Sequence, residues 1–347
     1  MNSSKSNQDV GLHRFAVLTS ITTFFLIIAG GLVTSTDSGL AVPDWPLSYG
    51  QLMPPMVGGI FYEHGHRMVA TFVGMLTTIL AIWLWRKEER KWVRMLGVVA
   101  WIAVVVQGLL GGLTVLLLLP AWVSTTHATI AQSFFSLTIV LAVVTSASWK
   151  AHAPLDYGRM RKTRLLALGA SGAVLLQLVL GAYMRHTGSG LAIPDFPLSY
   201  SEWIPTTNPA DLVSINEYRL AYYDLPPIEL SQIWIHFAHR LGALLVTVLL
   251  LTNVIHVLRN YKIPQMREPA IIQGLLLLVQ ILLGSLTVWT GKGVQVSTAH
   301  VAVGALLFGT SITLTLYSFG WFKVLARDRE KSFSVAAFPT GGEATTA

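Results

Sequence analysis

The feature that most constrains this chain is that it is written twice. Residues Ser38-Gly-Leu-Ala-Val-Pro-Asp-Trp-Pro-Leu-Ser-Tyr49 return as Ser189-Gly-Leu-Ala-Ile-Pro-Asp-Phe-Pro-Leu-Ser-Tyr200, 151 positions later. Further along, Gln107-Gly-Leu-Leu-Gly-Gly-Leu-Thr-Val115 returns as Gln280-Ile-Leu-Leu-Gly-Ser-Leu-Thr-Val288, at an offset of 173. His66-Arg67 and His239-Arg240 keep that second offset, as do Ser124 and His127 with Ser297 and His300. The 22-residue difference between the two offsets places an insertion within Ser201–Ser231. A duplicated sequence builds the same unit twice, in the same element order.

Hydropathy says what the unit is. Of 347 residues, 53% are hydrophobic and 12% charged, against about a quarter charged in soluble domains. A soluble fold of this length cannot bury so much apolar surface. Eight apolar runs fall at 15–34, 68–85, 95–119, 124–149, 165–184, 233–258, 270–290 and 297–321, each near the roughly 20 residues that cross a bilayer. Backbone polar groups in lipid need partners within the segment, so each run is expected to be a helix. The expected fold is all-α integral membrane: eight transmembrane helices as two pseudo-symmetric four-helix bundles, parallel repeats about an axis near the membrane normal. The expected segments are an N-terminal tail 1–14, an N-terminal bundle 15–149, a linker 150–164, a C-terminal bundle 165–321 and a tail 322–347. Met1–Leu12 lacks the pattern of a cleaved signal or a transit peptide, so the first run is expected to remain as a span.

Charge sets the expected orientation. Of the 24 lysines and arginines, 19 lie at the end of the bundle that carries both termini. Only Arg67, Arg185, Arg219, Arg240 and Lys292 lie at the other. The positive-inside rule makes both termini cytoplasmic. The net charge of +7 is then a topology signal, and no nucleic-acid partner is expected. Cysteine is absent, which removes disulfides and thiolate ligands.

Ten histidines occur. His13, His152 and His256 fall at cytoplasmic ends or loops, and His64, His186 and His236 at the outer boundary. The remaining four, His66, His127, His239 and His300, each open an outside-to-inside span. Within each half, two of them come from different helices at equal depth. An ionisable group in a membrane is costly and marks function. Zinc takes four tight ligands and copper often recruits sulfur, whereas haem needs only axial ligands from facing helices. Arg67 and Arg240 follow the first histidine of each pair and are candidates for haem propionates, with snorkelling at the interface as the alternative. Glu63, three residues before His66 and on its helical face, has His236 as its counterpart. A carboxylate beside one haem edge can take protons or stabilise positive charge, so the asymmetry reads as one chemical and one redox site. The Pro-Asp-Trp-Pro and Pro-Asp-Phe-Pro loops are expected to be rigid caps, because prolines fix φ, with Trp45 and Phe196 at the interface or acting as a lid. The Gly30-Gly31 and Gly111-Gly112 pairs are expected to serve helix packing.

In combination, the eight spans, the Glu-x-x-His-Arg start of span two, the single histidines of spans four, six and eight, and the Ser-Gly-Leu-Ala-x-Pro-Asp-Trp-Pro loop resemble the haem A synthase family of the CtaA/Cox15 type. The resemblance covers roughly Arg14 to Trp321. It implies oxidation of the C8 methyl of haem O to a formyl group by successive hydroxylations, giving haem A for haem–copper terminal oxidases. It implies that His239 and His300 hold a resident haem b, that His66 and His127 bracket the substrate haem O, and that Glu63 serves the oxidation. It implies a multi-pass protein of a bacterial or archaeal cell membrane, with haem sites near the outer face. Haem O synthase (the protohaem farnesyltransferase) and oxidase assembly factors are the implied partners, besides membrane lipid. Many bacterial relatives carry an outer-loop cysteine pair where this chain has Val42 and Ser48, so any redox role of that pair does not transfer. The competing readings are a diheme b-type electron-transfer cytochrome and a haem-delivery protein.

Overall fold

The computed structural model describes residues 2–150 and 157–336, with side chains over 10–150 and 160–319. Linker residues 151–156, with His152, and tail residues 337–347 lie outside the described residues, as do the side chains of Lys5, Arg159, Lys323, Arg327, Arg329 and Lys331.

Among the described residues ten α-helices follow one another: α1 (Asn2–Ser35), α2 (Gly59–Lys87), α3 (Lys91–Leu116), α4 (Ala121–Thr145), the single-turn α5 (Ala147–Lys150), α6 (Tyr157–His186), α7 (Leu212–Tyr223), α8 (Leu230–Asn260), α9 (Pro264–Trp289) and α10 (Val294–Ala336). Eight of them are long and apolar enough to cross a bilayer. Spans of 25–31 residues rise about 1.5 Å per residue, more than the hydrocarbon core needs. Large apolar side chains such as Phe25, Phe72, Ile79, Leu109, Leu244 and Leu278 point outward, as they do where the solvent is lipid.

The interior is kept by small residues and by hydroxyls that return to their own backbone. Thr23, Thr77 and Thr145 each donate to the carbonyl four residues back, which satisfies the hydroxyl without a partner helix. In the C-terminal half, Gln273 of α9 donates to Ser311 of α10 at 2.7 Å and receives from Asn253 of α8.

Helix neighbours recur between the halves. In the first, α1 packs on α2 and α4, and α3 on α2 and α4; in the second, α6 packs on α8 and α10, and α9 on α8 and α10. The seam between halves is formed by α1 with α10 and α4 with α6 and α10. Ile27, Phe135 and Ala305 form a buried cluster there, and Gly309 of α10 lies directly under the Ile139 side chain of α4.

The helices overrun the apolar runs at the capped end. α2 begins at Gly59 rather than at Met68, and α8 at Leu230. The stretch Glu63-His-Gly-His-Arg67 depresses hydropathy without breaking the helix, so His66 sits about two turns inside α2 and His239 more than two inside α8, while His127 and His300 stay within the first two turns of α4 and α10. The insertion 201–231 carries α7, and Arg219 on it is 2% exposed. Its guanidinium donates to Leu191 O, Ala192 O, Tyr200 Oη and Pro226 O, which pins the insertion onto the second cap.

Candidate functional site

Both caps are built on the same internal bonds. Asp44 accepts the N–H groups of Tyr49 and Gly50 at 2.7 and 2.8 Å; Asp195 accepts those of Tyr200 and Ser201 at 3.0 and 3.1 Å. The Tyr49 and Tyr200 hydroxyls donate to Ala41 O and Ala192 O. The Gly50 and Tyr49 amides hold the Asp44 carboxyl below its ordinary range. The Trp45-Pro46 and Phe196-Pro197 bonds are cis in both caps.

The two arginines fasten these caps to the helices below. Arg67 donates to Val42 O, Asp44 O and Leu47 O. Arg240 donates to Ile193 O, Asp195 O and Leu198 O, the same three carbonyls one repeat later. The end nitrogens of both arginines, the candidates for propionates, donate to loop carbonyls, and Arg67 Nη2 also to Glu63. Arg240 Nε is buried with no hydrogen-bond partner.

Glu63 is 3% exposed. One carboxylate oxygen accepts the Val42 N–H at 2.8 Å, and the other pairs with Arg67 Nη2 at 2.6 Å. In the second half the corresponding loop N–H, that of Ile193, is accepted by His236 Nδ1 at 3.2 Å. His236 thus replaces Glu63 as the loop acceptor, and the two halves differ in charge rather than in this hydrogen bond. His64, also buried, bonds Ser48 Oγ at 2.8 Å. These two histidines are buried links between helix and cap, more than boundary residues.

Each of the four central histidines lies against a glycine of a neighbouring helix. A Cβ added at Gly30 would stand 3.1 Å from His66 Cε1, at Gly111 3.4 Å from His127 Cε1, at Gly181 2.9 Å from His239 Cε1 and at Gly284 3.2 Å from His300 Cε1. The glycine pairs therefore do more than bring helices close: one member of each seats an imidazole. The other members meet Thr298 across the seam (Gly31) and the Trp45 ring (Gly112), so Trp45 closes down on α3. His66 lies within electrostatic range of His127, and His239 of His300.

Glutamines support three of the four. Gln107 donates to His127 O at 2.9 Å and Gln177 to His239 O at 2.8 Å, while Gln280 approaches His300 Nε2 at 3.4 Å. Gln177 was not singled out in the sequence; a lone amide in the apolar middle of span five was the available signal. The repeat places Leu26 at its counterpart in α1, beside His66.

The arrangement suits haem. No group of three or more His, Asp or Glu able to cage an ion occurs among the described residues. Paired imidazoles need only face an iron from two sides. The Nδ1 atoms of His66, His127 and His300 are buried without a hydrogen-bond partner, which is costly for a polar group that has no ligand chemistry to do.

Comparison with known proteins agrees in extent. The family model described as cytochrome oxidase assembly protein, COX15-CtaA, matches residues 13–312. A heme A synthase of Geobacillus kaustophilus is 28% identical over 313 residues, covering 87% of this chain and 90% of the relative. One from Halalkalibacterium halodurans is 29% identical over 309 residues, covering 85% and 93%. One from Shouchella clausii is 30% identical over 259 residues, covering 73% and 78%.

Proposed function

This chain belongs to the COX15-CtaA family of cytochrome oxidase assembly proteins, and from that membership we propose that it is a haem A synthase, a multi-pass membrane oxidoreductase of bacterial type. It oxidises the C8 methyl of haem O to a formyl group by successive hydroxylations, yielding haem A for terminal oxidases. The observation that carries the assignment to residues is the buried carboxylate of Glu63, one turn from His66, opposite a histidine in the other half.

In this reading His66 and His127 hold the substrate, haem O, and His239 and His300 hold a haem b. Haem b supplies one-electron redox chemistry. Glu63 takes protons released as the methyl carbon is oxidised. Val42 N–H and Arg67 fix both of its oxygens, so the carboxylate is oriented before substrate arrives. Trp45 and the two caps exclude water from above. The 19 basic residues at the end that carries both termini support termini in the cytoplasm and caps outside, by the positive-inside rule. Haem O comes from a haem O synthase (the farnesyltransferase), and haem A passes to oxidase assembly factors.

Co-expression with a haem O synthase, followed by extraction of the haems, tests this. Haem A is expected; recovery of haem O alone from haem-loaded protein overturns the reading. Glu63→Gln is expected to keep haem b and lose about 100-fold or more in haem A yield, the scale of a lost acid–base group. Glu63→His, which copies His236, is expected to keep the cap and still make no haem A. Normal yield from both removes Glu63 from the chemistry.

A further inference from the structure

At the capped end of the seam one cation stands between the two histidine pairs. Arg185, near the end of α6, donates through Nη2 to Gly31 O at 3.2 Å and Ser35 Oγ at 2.7 Å, both on α1. Gly31 adjoins Gly30, the seat of His66. Ser35 also receives Thr298 Oγ1 at 3.1 Å from α10, two residues before His300. Thr298 packs on Gly31 as well. Arg185 is within electrostatic range of His300, and its neighbour His186 of His127.

The repeat does not duplicate this group: the position matching Arg185 in the first half is Thr34, and that matching His186 is Ser35. One arginine therefore serves a junction that belongs to both halves. Its partners are neutral oxygens. Among the described residues no carboxylate lies within ion-pair distance; Asp37, the acid that acts on it electrostatically, is exposed. A half-buried guanidinium without an anion is costly, and the fork of Arg matches a carboxylate better than any other side chain does. Arg67 and Arg240 have their end nitrogens committed to the caps.

We propose that Arg185 is the carboxylate-binding cation of the haem sites, receiving a propionate at the seam beside the His239–His300 haem. This rests on the haem reading above. Because the charge lies beside that iron, it favours the reduced form over the oxidised one, and so ties electron acceptance in one half to a contact made with α1 of the other.

The test uses full-length protein loaded with haem in detergent, with haem content and redox titration as readouts. Arg185→Gln is expected to lower the reduction equilibrium constant of the C-terminal haem about tenfold, 59 mV for a one-electron couple. Arg185→Lys and Ser35→Ala keep the charge and are expected to leave the potential in place. An unchanged potential in haem-loaded Arg185→Gln, or an equal drop in Ser35→Ala, overturns the proposal. Should Arg185→Gln fail to load, the wild-type protein decides with haem b dimethyl ester: weaker binding than haem b supports the ion pair, and equal binding overturns it. Absence of any bis-imidazole spectrum in the wild type would instead defeat the haem reading itself.

Discussion

Gly181 shows how much a single hydrogen atom can decide here. Its missing side chain is the space in which His239 stands, 2.9 Å from where a Cβ would be, while Gly111 leaves His127 a more ordinary 3.4 Å. Gly181→Ala is therefore expected to push the imidazole off its seat at a cost of about 1–3 kcal/mol, lowering C-terminal haem occupancy about tenfold or more. Gly111→Ala is expected to keep most of its haem. Haem-to-protein ratios by pyridine haemochrome check both; equal loss would mean the seats are not what positions the rings. At this scale the sequence made the four histidines visible by their repetition. The glycine beneath each was invisible as a seat, because seat and ring belong to different helices and meet only on packing.

The caps are the elements where duplication and divergence are easiest to separate. Their internal bonds match carbonyl for carbonyl, yet one is held below by a carboxylate and the other by an imidazole. Asp44 gives the first cap a pH dependence. Its carboxyl titrates below the ordinary value of about 3.9, held there by the Gly50 and Tyr49 amides. Its contribution is thus complete above that value and is lost as pH falls through the folded one. Comparing wild type with Asp44→Asn by amide exchange at matched pH, Tyr49 and Gly50 are expected to be better protected in the wild type at neutral pH. The difference should close in the most acidic samples; a difference independent of pH would dismiss the carboxylate. The prolines and the duplicated motif announced a rigid cap. What the arginines and Arg219 do for it was not legible, since their partners are backbone carbonyls, which no side-chain pattern marks.

Across the whole molecule, the seam is where two similar units become one protein. α1, α4, α6 and α10 meet there, and Arg185 reaches from one half into the other. The proposed orientation can be checked cleanly, because the chain has no cysteine of its own. Leu52→Cys, on the first cap and 84% exposed, is expected to react with an impermeant maleimide in intact cells. Lys262→Cys, exposed at the basic end, is expected to react only after the membrane is opened. The reverse pattern would invert the topology and put the haem sites near the cytoplasm.

The sequence by itself determined the eight spans, the doubling and the four ligand candidates. Each of these is a property of order and composition along the chain, and lipid as solvent leaves such a chain few other ways to satisfy its backbone. The start of α2 escaped it, because hydropathy reports what lipid tolerates and not where helical hydrogen bonding ends. Only the tertiary structure decided that Glu63 and His236 accept the same loop N–H, that glycines on other helices seat the imidazoles, and that one arginine stands at the seam between both pairs. Those relations join residues tens to more than a hundred positions apart, and their energy exists only once the helices have packed.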